Sequence, residues 1–504
     1  MRFVVFADPH LSDIENTSQE AAVDWALRMA ADLKPDALIC AGDVTACGSP
    51  DAAIRFAEKL YALPFPNIVV PGNSELRNVS TAPLLERLFS SYPDGLKLKD
   101  IRIIGMNFSH DSISIEERER LNGLEDTEKL VLVSHQGYRH LDANSRSFLN
   151  EWLSARKDRI LIWLTGHIHV QLDEVYEGVR EFALRAIDPD KCIGGLPQLL
   201  QLDIDGKDIK ITEHLFTEGQ LCEWSEDEKK EFINFLGVTC YHPEKEMDEV
   251  IRLGIRHMEW RSVTDETLIL LRRWREKVNG TFSVHMPSLT FDGAVRGEEK
   301  LAECALSAVR AGADMITVHP PFVKNRDMYK PGAFELLADS MARAISPVYD
   351  AGIRILIENN HTNFGTSSDV YEREFGCSPV EVMTWRYALN ERLGKDACDI
   401  RLDIGHARNN VPVSQDYPLG KWYPVMGPAA RAYHLHQTTC EPGGKMHNHF
   451  PITGINDGFI SFCGFLHEWH SCVLTHGPVI LEIREGEGAI ETYKRLKRIV
   501  MEDE

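Results

Sequence analysis

Long apolar runs are missing from this 504-residue sequence: nowhere do about 18 uncharged apolar residues follow one another, the length a membrane-spanning helix requires. The N-terminus also lacks a basic segment followed by an apolar one, and passes from Met1 directly into the strand-like FVVFAD. Both absences lead us to expect a cytoplasmic protein with no membrane partner. Positive charge is scarce as well, with 55 Lys and Arg against 77 Asp and Glu and a formal net charge of -22. Non-specific nucleic-acid affinity comes mostly from cationic side chains that displace counterions, so this balance disfavours DNA and RNA and favours small substrates. The 11 cysteines include no CxxC pair. Cys40, Cys240 and Cys398 lie in apolar runs where cysteine acts as a small hydrophobe, which argues against a disulfide framework.

A single hydrophobic core stops growing at roughly 250 to 300 residues, so a chain of this length should split in two. The pattern agrees. Strand-like RFVVFAD, DALICAGD and NIVVPGN alternate with amphipathic EAAVDWALRMAADL and AAIRFAEKLYAL, and IRIIGMNF, KLVLVSH and RILIWLTGH follow. LLQLDIDGKDIKITEHLF reads as a hairpin turning at Asp205-Gly206. These features predict a layered α/β sandwich over residues 1–222. The acidic SEDEKKEF then marks a boundary or opens a helix. Eight more strand-like runs follow, most of them separated by helical stretches: FLGVTCY, IRHMEWR, TFSVHMP, DMITVHPP, IRILIENN, CDIRLDIGH, RAYHLHQ and VILEIRE. This predicts a (β/α)8 TIM barrel over residues 228–504. Polar residues gather toward the C-terminal ends of these runs, at Glu259, His285, His319, Glu358, Asp403, His434 and Glu482, where such barrels carry their chemistry.

In the first half, short motifs stand just after apolar runs: Asp8-Pro9-His10, Gly42-Asp43, Gly72-Asn73-Ser74-Glu75, Ser134-His135-Gln136 and Gly166-His167-Ile168-His169. Singly, each reads as a helix cap or a turn. Together and in this order they offer carboxylate, imidazole and amide oxygen, a donor set that suits Mn, Fe or Zn. The arrangement resembles the calcineurin-like metallophosphoesterase family across residues 1–220 and implies its four-layer α/β/β/α sandwich. By that resemblance two divalent metals are held, one by Asp8, His10 and His169, the other by Asn73, His135 and His167, with Asp43 bridging. Asp43, Asn73 and His135 would be the catalytic centre of a phosphoric ester hydrolase acting on a small phosphorylated substrate. Many members carry His where this chain has Ser74. We expect Ser74 to bind substrate and the preference to turn toward phosphodiesters.

The barrel resembles the xylose-isomerase-like superfamily, which includes sugar isomerases, epimerases and the trinuclear AP endonucleases. Its isomerase-type ligands are matched by Glu358, Asp403, a histidine of YHLHQ, and Glu482, with Glu358 and Glu482 as the catalytic pair. The nuclease type adds histidines matched by His285, His319, His406 and the His447-x-His449 pair. One to three divalent metals, Zn or Mn, are implied. The distance to His447 favours His434 as the ligand, with His436 as the alternative and otherwise a substrate-binding residue. The family's aspartate is replaced by His447, which a zinc site accepts. Arg408, Arg326 and Lys324, just after ligand motifs, are candidates for holding phosphate. The segment MPSLTF lacks the aromatic with which the nucleases open a duplex, so DNA repair is discounted. The expectation is a bifunctional phosphoesterase, its alternative a phosphoesterase fused to a sugar isomerase or epimerase, and the least favoured reading a non-catalytic barrel.

Overall fold

The computed structural model describes residues 1–89, 94–124, 128–362, 371–440, 446–484 and 488–502. The chain divides into two compact units, Met1–Glu218 with Ser461–Gly464, and Gly219–Ile460 with Phe465–Glu504.

In the first unit one sheet runs Asp208–Leu215, Gln198–Asp205, Arg2–Phe6, Ala37–Cys40, Asn67–Val69. The other runs Leu96–Leu98, Ile101–Gly105, Lys129–Val133, Ile160–Thr165, Val179–Ala183, Leu172–Tyr176. Alternation along the strands makes the layers. Phe3, Val5, Ile39 and Leu200 of one sheet meet Ile103, Val131, Ile162 and Phe182 of the other in a shared core. The opposite faces pack helices: Val4, Phe6 and Leu38 against Val23, Trp25 and Ala26 of Ser18–Leu33, and Leu130, Leu132 and Trp163 against Leu149 and Trp152 of Ala143–Arg156. The predicted hairpin pairs Asp205 with Asp208, and Gly206 supplies the positive φ of its turn. The hairpin Leu172–Tyr176 with Val179–Ala183 was not read from the sequence.

In the second unit eight parallel strands close a barrel: Leu236–Thr239, His257–Trp260, Thr281–His285, Met315–Val318, Arg354–Glu358, Cys398–Asp403, Ala430–Leu435 and Val479–Leu481. Each of the eight expected runs holds one strand. SEDEKKEF opens the helix Glu226–Phe235, where Ser225 and Glu228 form a reciprocal capping box. All nine tryptophans are buried, among them Trp260, Trp274, Trp385 and Trp422, as core residues at helical or strand spacing should be. No helix among the described residues is long and apolar enough to cross a membrane.

Candidate metal centres

The sandwich site forms where parallel strands end and the chain turns sharply. Asp8 N donates to Gly42 O and His10 N to Asp43 O, both at 3.0 Å, so the two post-strand loops stay in register beyond the sheet. Asp8, His10, Asp43, His167 and His169 all take φ between 47° and 72°, the left-handed region. Such backbone costs about 1–3 kcal/mol per residue and concentrates at functional sites. Glycine is required beside them: a Cβ on Gly72 would stand 2.1 Å from Asp43 Oδ1, and one on Gly42 2.6 Å from His135.

The side chains converge in two overlapping groups. Asp8, His10 and His169 offer ligand atoms all within 4.8 Å of one another, as do Asp8, Asp43 and His135. Asn73 Oδ1 lies 3.0 Å from His135 Nε2 and 2.9 Å from His167 Nδ1. Asp43 stands between the groups, its Oδ1 3.3 Å from His135 Nε2 and its Oδ2 3.2 Å from His10 Nε2. Burial lifts the Asp8 carboxyl well above its ordinary value, and the Asp43 charge adds to this. Burial acts on Asp43 in the same sense, but the charges of His135 and His10 outweigh it and hold Asp43 low. Burial, with His135 nearby, pushes His167 down to about 4, so its imidazole is neutral and able to bind a cation near neutral pH.

Ser74, expected to bind substrate, is fully buried, and its amide and hydroxyl donate to Asp43 Oδ1 and Oδ2 at 2.8 and 2.9 Å, which orients that carboxylate. Asp188 was missed, and Glu75 was seen within its motif but given no role. Asp188 Oδ2 lies 3.3 Å from His10 Nδ1 and sets that ring. Glu75 accepts from Thr45 and Gly72 and ties the Asp43 and Asn73 loops together.

In the barrel, period-two alternation carries polar residues inward at successive depths. Arg401 and Asp403 sit two apart on one strand; Arg401 donates across the interior to Ser283, and Asp403 Oδ1 faces the His436 imidazole at 3.2 Å. At the upper level three groups adjoin: His285, His319 and Glu358; Glu358, Asp403, His434 and Glu482; and His406, His436 and His449. Glu358 joins the first two, with Oε2 3.3 Å from His285 Nε2 and Oε1 2.9 Å from His434 Nδ1. His285 Nε2, Glu358 Oε2, Asp403 Oδ2, His406 Nε2, His436 Nε2 and Glu482 Oε2 are buried without a hydrogen bond. Buried polar atoms are otherwise nearly always satisfied, so donors left over in adjoining groups fit divalent cations. Glu358 and Glu259 hold the His434 imidazole well above its ordinary value although burial opposes them, a sign of surplus negative charge.

His434 falls in the group with Glu358, Asp403 and Glu482, and His436 in the group with His406 and His449. Among the described residues, His447 is in none of these groups and its ring faces Phe450 at 6.4 Å, while His449, at a φ of 66°, joins His406 and His436. Arg408 lies over the Phe459 ring, 4.2 Å from its centroid, and does not line the cavity at the barrel mouth. Arg326 and Lys324 both pair with Glu372.

Glu259 lies deeper than the strand-end reading assumed. It is fully buried, bonded to Arg401, and accepts from Ser283 and Thr317 hydroxyls at 2.8 Å each. Its Oε1 is 2.9 Å from His434 Nε2, leaving Nδ1 to face the upper level. Asn359 and Asp403 exchange hydrogen bonds of 3.0 and 2.9 Å, which fixes the Asp403 backbone.

Comparison with known proteins places residues 1–171 in a match to the family described as calcineurin-like phosphoesterase. Residues 247–499 match the xylose isomerase-like TIM barrel. A relative named probable glycerophosphodiester phosphodiesterase GpdQ, from Arcobacter nitrofigilis, is 29% identical over 161 residues, covering 27% of this chain and 57% of its own length. The chain thus spans little more than half of that relative. A Thermus thermophilus protein whose crystal was soaked with ZnCl2 covers 54% of this chain and 99% of its own at 18% identity and a TM-score of 0.38. A dimetal phosphatase from Danio rerio covers 43% of this chain and 99% of its own at 15% identity and a TM-score of 0.33.

Proposed function

We propose, from the premise that the chain belongs to the xylose isomerase-like TIM barrel family and carries a calcineurin-like phosphoesterase domain ahead of it, that it is a bifunctional metal-dependent phosphoesterase. The domain of residues 1–222 hydrolyses a small phosphodiester or phosphomonoester. The domain of residues 228–504 acts on a related sugar phosphate or phosphodiester. The observation that carries the reading is the placement of Asp43, whose two oxygens face imidazoles of different ligand groups, as a bridge between two cations requires.

Asp8, His10 and His169 would hold one ion, Asn73, His135 and His167 the second, and Asp43 both. In the barrel Glu358, Asp403, His434 and Glu482 would hold one ion, His285 and His319 with Glu358 another, and His406, His436 and His449 a third. Divalent ions in such pairs supply an activated water and neutralise charge gathering on phosphoryl oxygens. The chain's own contribution is orientation: Ser74 aims Asp43, Asp188 sets His10, and Glu259 sets His434. With Ser74 spent on Asp43, a diester is the favoured first substrate, and the relative's glycerophosphodiester is of that class.

The test removes metal from the full chain with a chelator, returns Mn or Zn, and follows a chromogenic phosphodiester and monoester. Outer-shell changes at metal sites cost about 10–100-fold, so Asp43→Asn, at the bridge itself, is expected to lower diester hydrolysis by more than about a hundredfold. Glu358→Gln should leave that rate in place and abolish the barrel's activity. No hydrolysis with any metal ends the proposal, and solvent deuterium entering a ketose without hydrolysis would assign the barrel to isomerisation.

A further inference from the structure

At the barrel mouth Glu482 is divided between two tasks. Its Oε2 faces the imidazoles, 3.4 Å from His434 Nδ1 and 3.6 Å from His449 Nδ1. Its Oε1 turns the other way and is approached by Arg484 Nη2 at 2.7 Å, Arg261 Nη2 at 3.0 Å and the Tyr241 hydroxyl at 3.3 Å. Tyr241 steadies both arginines, accepting from Arg484 Nε at 3.1 Å and presenting its ring 5.7 Å from the Arg261 guanidinium. Two guanidiniums on one carboxylate oxygen exceed what holding that carboxylate takes. The excess grows once Glu482 Oε2 shares its charge with a cation.

The spare capacity faces a cavity. Arg261 and Arg484 line the barrel-mouth cavity of about 580 Å³ together with Lys300, and Glu303 is the one carboxylate among the described residues that line it. Their side chains are 44% and 38% exposed, so neither is sealed behind its ion pair. Among the described residues, Nη1 of each guanidinium makes no hydrogen bond, and neither does Arg261 Nε. In a chain of net charge -22, this rim gathers three cations, two of them shared with Glu482, against Glu303 as the lining acid.

We infer that Arg261 and Arg484 form an anion subsite, beside the ligand groups and outside them, that receives the phosphate of the barrel's substrate. A guanidinium presents a planar fork that matches a pair of oxygens. Two forks, one just beyond the strand His257–Trp260 and the other beyond Val479–Leu481, can each take a different pair of oxygens on a tetrahedral oxyanion, which phosphate offers and a two-oxygen carboxylate does not. The inference rests on the barrel reading above and narrows it to phosphorylated ligands.

The probe is inorganic phosphate, titrated calorimetrically into the metal-loaded full chain, with a neutral hexose as control. Arg261→Gln, on a half-exposed side chain whose loss the fold tolerates, should weaken the barrel's phosphate binding by about tenfold or more, and Arg261→Gln with Arg484→Gln by about a hundredfold. Metal content, counted in every variant, should stay at the wild-type level. Unchanged phosphate affinity in the double variant overturns the inference. So does affinity lost only in step with metal, because the arginines would then serve Glu482 alone. A chain that hydrolyses nothing yet binds phosphate through these two residues supports the subsite while ending the catalytic reading.

Discussion

Arg401 is the most consequential side chain that touches none of the candidate ligand groups' metal-facing atoms. It is fully buried, as is Glu259, and the two form an ion pair beneath His434. Replacing Arg401 with Met leaves a carboxylate stranded in the barrel interior. Breaking one side of a buried pair costs about 3–5 kcal/mol. Glu259 would keep the hydroxyls of Ser283 and Thr317, each at 2.8 Å, so the expected loss lies near the lower end, about 3 kcal/mol. Adding Glu259→Gln removes the stranded charge and should recover most of that loss. The assay is guanidinium denaturation of the metal-stripped full chain, read at the barrel transition for wild type, both single variants and the double. A second consequence concerns metal. His434 Nε2 lies 2.9 Å from Glu259 Oε1 and from Arg401 Nη1, so either single change frees the ring to turn and should weaken the Glu358, Asp403, His434 and Glu482 group for zinc by about 10–100-fold. An unshifted midpoint in Arg401→Met, or a double variant no more stable than that single one, would refute the coupling.

Two buried groups, one in each unit, should answer pH with opposite signs. Burial pushes the Glu181 carboxyl from 4.5 up to about 7, so between those values the folded sandwich keeps a proton that the unfolded chain releases, and stability falls as pH rises by up to about 3 kcal/mol. Burial pushes His257 from 6.5 down to about 4, so the folded barrel refuses a proton the unfolded chain accepts, and stability falls as pH drops through that window. Denaturation midpoints of Glu181→Gln and His257→Gln minus wild type across pH 4 to 8 isolate each slope, and differences that do not vary with pH count against both. Gly405→Ala tests the all-imidazole group: its Cβ would stand 2.0 Å from His436 Cε1 and force that ring aside, so the barrel should bind one ion fewer by elemental analysis. An unchanged count removes His436 from that group.

Strands and their order were legible because a barrel strand covered on both faces reads as a short apolar run, and each of the eight was seen that way. The ligand candidates were legible because each stands at or just after such a run. Depth was not. Period two tells which face a residue takes, not how far along the axis it sits, so Glu259 was read at the mouth although its partners Arg401, Ser283 and Thr317 lie a layer lower. An arginine inside a strand ordinarily signals an exposed face, and nothing in RLDIGH says that Arg401 meets a carboxylate 142 positions earlier. His447 and His449 share a face in an ideal strand, and the positive φ of His449 breaks that alternation. The missed hairpin carried a signal, Glu177-Gly178, both at positive φ between two β-prone runs.

The two sites secure their ligands by different physical means. In the sandwich, five candidates sit in left-handed backbone that side chains normally avoid, and what over-determines them is close packing: Gly42, Gly72 and Gly166 leave no room for a methyl beside His135, Asp43 and Asp8. In the barrel the backbone is mostly regular, with His449 the one positive-φ candidate among the described residues, and the constraint is electrostatic. Glu358, Asp403 and Glu482 crowd one another around His434, and below it Glu259 is matched by Arg401. The lower pair closes its own charge and Glu482 has its two arginines, so among the described residues Glu358 and Asp403 are left with imidazoles alone as charge partners, and the demand for positive charge falls on the ligand groups around them.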